Sequence, residues 1–432
     1  MANTRLTRTF SSGSGTTFTT SFWVKRTGLG LGFLFEGYGS GTYDTECFFN
    51  SDDTLHFRNT SNSNYTFNLN PTRKFRDVNS WYHLLFQFIA SGDSGVYAKI
   101  YVNGIQETVF TTNTQGAGGT QWNNTAPCTI GASHEGNYNF NGIISHFHHC
   151  DGTALAPTVF GETDATTGEW KIKTSPTFTL GTNGFTILKD GNTITDQSSN
   201  SNDWSLGGGT LTKTEDCPDN VFATMNSLDK NTNVVLTNGN TTSYSSANNT
   251  WVAANKATLG IAKDKFYWEM KITGSGTANG LFFGVCADTV TLITSQGIQD
   301  NATEKAKGVL VFCDDGQYQL DTNSRASMTS APAFNDVLGC AVDRDNNTVK
   351  FYKNGSEVGS INISSSPLAT CSHIMPFMIN FYTNTKFNFN FGNGAFGTTQ
   401  LTGTTYQATG LGIFKHQPPS GYTALCTKGL NL

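Results

Sequence analysis

Two short stretches of this chain end in the same way. Val96-Tyr97-Ala98-Lys99-Ile100-Tyr101-Val102 runs into Asn103-Gly104, and Thr348-Val349-Lys350-Phe351-Tyr352-Lys353 runs into Asn354-Gly355. Each is a strand with period-2 alternation followed by the dipeptide that best tolerates two positive φ values, as a type I′ hairpin turn demands. An apolar strand lies upstream of each, Trp81-Tyr82-His83-Leu84-Leu85-Phe86 in one case and Val337-Leu338-Gly339-Cys340-Ala341-Val342 in the other. Two such units, far apart in one chain, predict two β-sandwiches in tandem. The separate contexts argue for one physical solution used twice rather than for an internal duplication.

The rest of the composition agrees. Only 14 % of residues are charged, 12 % are aromatic with 32 Phe, and the polar bulk comes from Thr, Asn, Ser and Gly. Strong helix formers are scarce and strand formers abundant. At 432 residues the chain is too long for one ordinary core. The expected fold is all-β: two antiparallel sandwiches, or jelly rolls, at 1–165 and 221–432, joined by a connector at 166–220 that donates a strand or two to a neighbour. Phe266, Trp268, Met270 and Ile272 alternate, as do Phe387, Phe389 and Phe391, and both sets read as core faces. Asn301 to Lys307 is the one helix candidate.

Charge excludes several classes. The net charge of −5 has no basic stripe, so nucleic-acid binding lacks electrostatic support. No apolar run is long enough for membrane insertion as a helix. The first residues lack a secretory h-region, so synthesis in a cytoplasm without export is expected. Nine scattered Cys with no Cys-x-x-Cys spacing read as free, buried thiols rather than disulfides or a zinc ribbon.

With these residues in place, two resemblances emerge. Ser21-Phe22-Trp23-Val24, Trp81-Tyr82-His83-Leu84 with the Asn103-Gly104 hairpin, and Phe140-Asn141-Gly142-Ile143-Ile144 followed by Ala154-Leu155-Ala156-Pro157 resemble a laminin-G/concanavalin-like jelly roll over 5–160. Phe266-Tyr267-Trp268-Glu269-Met270, Phe283-Gly284-Val285, the Asp336 to Asp343 strand with the Asn354-Gly355 hairpin, and Pro376-Phe377 resemble a SPRY (B30.2-like) domain. With Asn200-Ser201-Asn202-Asp203-Trp204 between them and Pro418-Pro419-Ser420-Gly421-Tyr422 at the end, the combination resembles proteins assigned to the virions of marine bacteriophages. The Asn200 to Trp204 phrase also resembles the opening of a laminin-G-type unit, which leaves the boundary open between 165 and 215.

The combined resemblance implies a non-catalytic structural protein on the virion surface, as a head decoration, knob or short fibre tip. Implied partners are other capsid or tail proteins, a host surface glycan or protein, and copies of itself, most simply in a trimer. A stand-alone lectin-like module and a tail-fibre depolymerase are the alternatives.

The candidate chemistry is sparse. Trp122, Asn123 and Asn124 in one loop and Tyr138 in another pair aromatic rings with amides, the combination that holds a sugar. Tyr38, Tyr43 and Trp251 are further loop aromatics. His146, His148 and Cys150 would share one face of a regular strand and form a weak metal-ligand set, with His149 between them. No metal is expected there, and no cofactor elsewhere. Laminin-G-type folds leave open a calcium ion at a loop edge. Asp343-Arg344-Asp345-Asn346-Asn347 lacks the later Gly and acid of a calcium loop and reads as a turn. The neighbouring pairs Asp52-Asp53 and Asp314-Asp315 point to opposite strand faces and cannot work as one acid–base pair. No catalytic residue is assigned.

Overall fold

The computed structural model describes residues 4–11, 15–189, 191–248, 253–275, 280–292 and 301–431. Trp251 lies outside them. The architecture is nearly all-β, with antiparallel sheets in two compact units. The first comprises residues 1–212 and 217–219, and the second 213–216 and 220–432.

Two sheets form the first unit. One runs, in spatial order, Phe110–Thr114, Asn64–Pro71, Leu55–Ser61, Tyr43–Phe49, Gly32–Ser40, Pro127–Ile130, Arg5–Thr9 and Ser205–Gly208. The other runs Phe185–Ile187, Gly142–Asp151, Phe18–Arg26, Trp81–Asp93, Val96–Val102 and Ile105–Gln106. Phe22, Phe35, Phe57, Phe86 and Phe147 fill the space between them, with Phe22 and Phe147 stacked at 4.6 Å. Phe and Trp are prominent among the residues of this core.

The segment read as a connector is built into this unit. Phe185–Ile187 adds to the free edge of Gly142–Asp151, and Ser205–Gly208 adds to Arg5–Thr9. Phe185, Ile187 and Trp204 are buried in the same core. Each short strand gains both a ladder partner and a place for its apolar side chain, so the stretch packs rather than links. Trp170–Ile172 pairs with Gly161–Thr163 in a small hairpin of its own.

In the second unit, a sheet of Met225–Lys230, Ala254–Ala257, Ile374–Asn380, Leu281–Ala287, Gly308–Phe312, Gln317–Leu320 and Ala326–Ser327 faces another. The second is Val234–Thr237, Thr242–Ser245, Thr385–Asn390, Lys265–Gly274, Val337–Asp343, Thr348–Lys353 and Ser356–Asn362. Both predicted alternations hold: Phe266, Trp268, Met270, Ile272, Phe387, Phe389 and Phe391 all lie in the core between the sheets. The helix candidate is a single turn, Ala302–Lys305, with Asn301 capping it by accepting from the N–H groups of Thr303 and Glu304.

The two hairpins share their turn conformation and one pair of hydrogen bonds. Asn103 and Gly104 have φ of 48° and 79°, Asn354 and Gly355 of 50° and 86°. In each the Asn N–H donates to the upstream strand (to His83 O at 2.9 Å, to Val337 O at 2.8 Å). Its side-chain oxygen accepts from that same residue's N–H, at 2.8 Å from His83 and 2.9 Å from Val337. The asparagine therefore extends the ladder by one rung with main chain and side chain together, which fixes the register.

None of the nine cysteines, all of them among the described residues, forms a disulfide.

Candidate functional site

The loop residues chosen from sequence are placed by a buried network. Trp122 is fully buried, tilted against Phe35 at 4.6 Å, and its indole N–H donates to Thr20 Oγ1 at 2.9 Å. Thr20 Oγ1 also meets His149 Nδ1 at 2.9 Å, and His149 Nε2 meets Asn123 Oδ1 at 3.2 Å. Asn123 Nδ2 donates to Asp151 at 2.7 Å, and Asn183 donates to Asn123 Oδ1 at 3.1 Å. Burial pushes the His149 imidazole down to about 3, so it stays neutral in this chain. This corrects the expectation that Trp122 and Asn123 contact a ligand: they weld the loop to the core. Asn124 is half-buried and donates to Thr120 O at 3.3 Å.

The histidine strand does not form the expected ligand face. Its register shifts between Ser145 and His148, and His146 takes a φ of 50°. A bulge of this kind breaks the two-residue alternation. The ring centroids of His146 and His148 are 6.2 Å apart. His146 Nδ1 meets Ser145 Oγ at 2.7 Å, His148 Nδ1 meets Thr186 Oγ1 at 2.9 Å, and Cys150 Sγ lies 2.8 Å from Thr179 O. Among the described residues no three His, Cys, Asp or Glu side chains gather as a metal-ligand set. Asp343, in the calcium-like turn, accepts from Asn346 N–H and pairs with Lys265 at 3.0 Å.

Tyr138 remains at the surface, 55 % exposed, and leads to a different place. In the larger sheet of the first unit, Phe35, Cys47, Phe57 and Leu69 point into the core. Strand alternation sends their neighbours to the other face. There Glu36 lies directly opposite Glu46, Glu46 opposite Arg58, and Arg58 opposite Asn68. On one side of this row Tyr38 faces Asp44. On the other, rings stack in a line: Tyr138 on Phe33 at 5.9 Å, Phe33 on Phe48 at 4.9 Å, Phe48 on His56 at 5.0 Å. The Arg58 guanidinium lies over Phe48 at 4.9 Å and near the ring of Tyr65 at 5.5 Å.

Polar groups on this outer face are held in place. Glu46 accepts from Arg58 Nε at 2.5 Å. Glu36 accepts from the His134 main-chain N–H at 2.5 Å and meets its ring at 3.2 Å, while His134 stacks on Tyr38 at 3.5 Å. Burial raises the Glu36 carboxyl. Burial first, and then the nearby Glu46 charge, push Asp44 up to about 6. Asp44 Oδ1, His56 Nδ1 and Asn68 Oδ1 are shielded from solvent with no hydrogen-bond partner. They are three of fourteen such atoms among the described residues of the two units, and these three share one sheet face.

Phe33 and Phe48 are only 6 % exposed, and Glu36 and Glu46 are buried as well, so what this face offers a polyhydroxylated ring is exposed Tyr138 with the half-buried His56, Arg58, Asp44 and Asn68 around it. Sequence reasoning found only Tyr138 and Tyr38 of this set. The available signal was the polar half of each alternating strand: Glu36 and Tyr38, Asp44 and Glu46, His56 and Arg58.

Comparison with known proteins agrees at the level of domains. Residues 3–160 match a laminin-G-type family model, described as the concanavalin A-like lectin/glucanases superfamily, and residues 265–394 match the SPRY domain model. The chain thus carries a laminin-G/concanavalin-like domain and a SPRY domain, a pairing that suggests a binding module. Similar solved structures include the SPRY domain of human HERC1, at 15 % identity over 38 % of this chain and 96 % of that one, with a TM-score of 0.31. Stonustoxin is similar at 15 % identity over 39 % of this chain and 27 % of that one, TM-score 0.31. The heptameric SAP-like pentraxin of Limulus polyphemus is similar at 16 % identity over 36 % and 72 %, TM-score 0.28. No curated protein matches the chain.

Proposed function

We propose that this chain is a non-catalytic binding protein displayed on the surface of a phage particle, where the outer face of its first unit contacts host glycans. The observation that carries the binding reading is that face: exposed Tyr138 at the end of a row of stacked rings, beside the half-buried His56, Arg58 and Asp44, with three polar atoms that have no partner among the described residues. A glycan array tests it. Arg58→Ala and Tyr138→Ala should each weaken the strongest signal at least about tenfold, the loss of one charge-assisted hydrogen bond or one ring contact. Binding that survives both substitutions would place the site elsewhere.

The virion reading rests on the resemblance of the whole two-domain arrangement to phage surface proteins. It brings with it synthesis in the host cytoplasm, assembly with capsid or tail proteins and a trimeric state. Cryo-microscopy of the parent particle distinguishes head decoration from a fibre tip by where the density lies. Absence of the chain from purified particles leaves the stand-alone lectin.

One observation favours a second reading, a depolymerase. Glu36 and Glu46 are cross-strand neighbours, and paired carboxyls of this kind can cleave glycosidic bonds. Against it, each is already engaged, Glu46 by Arg58 and Glu36 by His134. Incubation with host polysaccharide should release no reducing ends.

A further inference from the structure

We infer that the first unit carries a second saccharide site, in the groove between the Asn103-Gly104 turn and the Gly161–Thr163/Trp170–Ile172 hairpin. The groove has a volume of about 480 Å³ and is lined by Asn103, Ile105, Thr163, Glu169 and Trp170. The groove lies at the Ile105–Gln106 edge of the smaller sheet, whereas the outer face belongs to the larger one.

Trp170 forms a fixed aromatic wall. Its indole N–H donates to His83 Nδ1 at 3.0 Å. An indole nitrogen can only donate, so His83 carries its own proton on Nε2 and gives it to Ser21 Oγ, 2.8 Å away. A histidine in that tautomer cannot take the serine proton, so the Ser21–His83 pair is a support rather than a nucleophile. Burial pushes His83 down to about 3 and keeps it neutral. His83 also stacks between Trp23 at 5.0 Å and Trp170 at 5.9 Å. Two glycines admit the Trp170 ring: a Cβ on Gly104 would come within 2.5 Å of it, and one on Gly161 within 2.6 Å.

Above this support the polar groups are uncommitted. The Asn103 oxygen is used by His83, and its amide nitrogen donates to no group among the described residues. The Thr163 hydroxyl and the Glu169 carboxylate likewise make no side-chain hydrogen bond or ion pair among the described residues, and both residues are exposed. An aromatic wall, a carboxylate acceptor, an amide donor and a hydroxyl around one groove fit a neutral saccharide of two or three rings. Thr163, Glu169 and Trp170 lie beyond residues 3–160, so the family match does not imply this site.

The test uses the full chain labelled with 5-fluorotryptophan, with the Trp170 resonance assigned by Trp170→Phe. Chitotriose, cellotriose, maltotriose and laminaritriose are the probes, titrated one at a time. At least one should move the Trp170 resonance saturably, and Glu169→Ala should weaken that titration about tenfold, as loss of a hydrogen bond to a charged group does. Glu169 is exposed, so this variant leaves folding intact. Arg58→Ala should leave the titration unchanged, which separates the groove from the outer face. The inference is overturned if none of the four sugars moves Trp170, if Glu169→Ala binds as before, or if Arg58→Ala abolishes the shift.

Discussion

Replacing Glu269 by Gln should flatten the pH dependence of the second unit's stability. Glu269 is fully buried on the Lys265–Gly274 strand, on the side away from Trp268 and the core. It accepts from the main-chain N–H groups of Lys415 at 2.8 Å and His416 at 2.7 Å, from Asn390 Nδ2 at 3.1 Å and from Tyr267 OH at 3.3 Å. Burial raises its carboxyl from 4.5 to about 7, more than these four donors lower it. The folded state thus binds the proton more tightly than the unfolded one. The stability this brings is complete below about pH 4.5 and is lost as the pH rises through about 7. A shift of about 2.5 units at 1.36 kcal/mol each gives a loss of about 3 kcal/mol across the window. Gln adds a pH-independent cost, because its amide group turns an N–H toward one of the donors, but it removes the slope. Other groups titrate in the same range, His416 among them with a lowered pKa, so the informative quantity is wild type minus variant. Hydrogen exchange of the Lys265–Gly274 peptide, measured from pH 4.5 to 8 and corrected for intrinsic rates, reads it. Parallel curves for the two proteins would refute the reasoning.

The turn asparagines should matter alike in both units. Asn103→Ala or Asn354→Ala puts Ala at positive φ and leaves one N–H without its acceptor, costing about 1–3 kcal/mol in the unit concerned, read from denaturant midpoints. Trp122→Ala should cost about 3–5 kcal/mol in the first unit through the emptied core volume. Calorimetry checks that cost, and where the variant remains folded, glycan binding should be unchanged. In the native chain Cys217 and Cys371 should react with a thiol reagent before the other seven, which are buried, and Cys371 more slowly than an exposed thiol because burial raises its pKa; mass spectrometry of labelled peptides counts them.

What could be read before folding was whatever repeats locally. Alternation along Phe266 to Ile272 and Phe387 to Phe391 needs no partner to be seen, and Asn-Gly announces its turn by itself. The outer face was hidden because it is a product of register: Glu36, Glu46, Arg58 and Asn68 become one row only when four strands align. Trp122 misled for the opposite reason. It sits in a polar Gly/Thr/Asn loop, and only the fold shows that Thr20, His149 and Asp151 gather beneath that loop. The histidine strand failed through one bulge, which no spacing rule reveals.

The strands at 185–187 and 205–208 have a consequence for the order in which the chain is made. They occupy edge positions in both sheets of the first unit, and Trp204 lies in its core. Domains fold as units as they leave the ribosome. This one cannot close until residue 208 has emerged, close to half of the 432. Until then the Arg5–Thr9 and Gly142–Asp151 strands present bare edges to whatever is near, including the same strands on a neighbouring nascent chain.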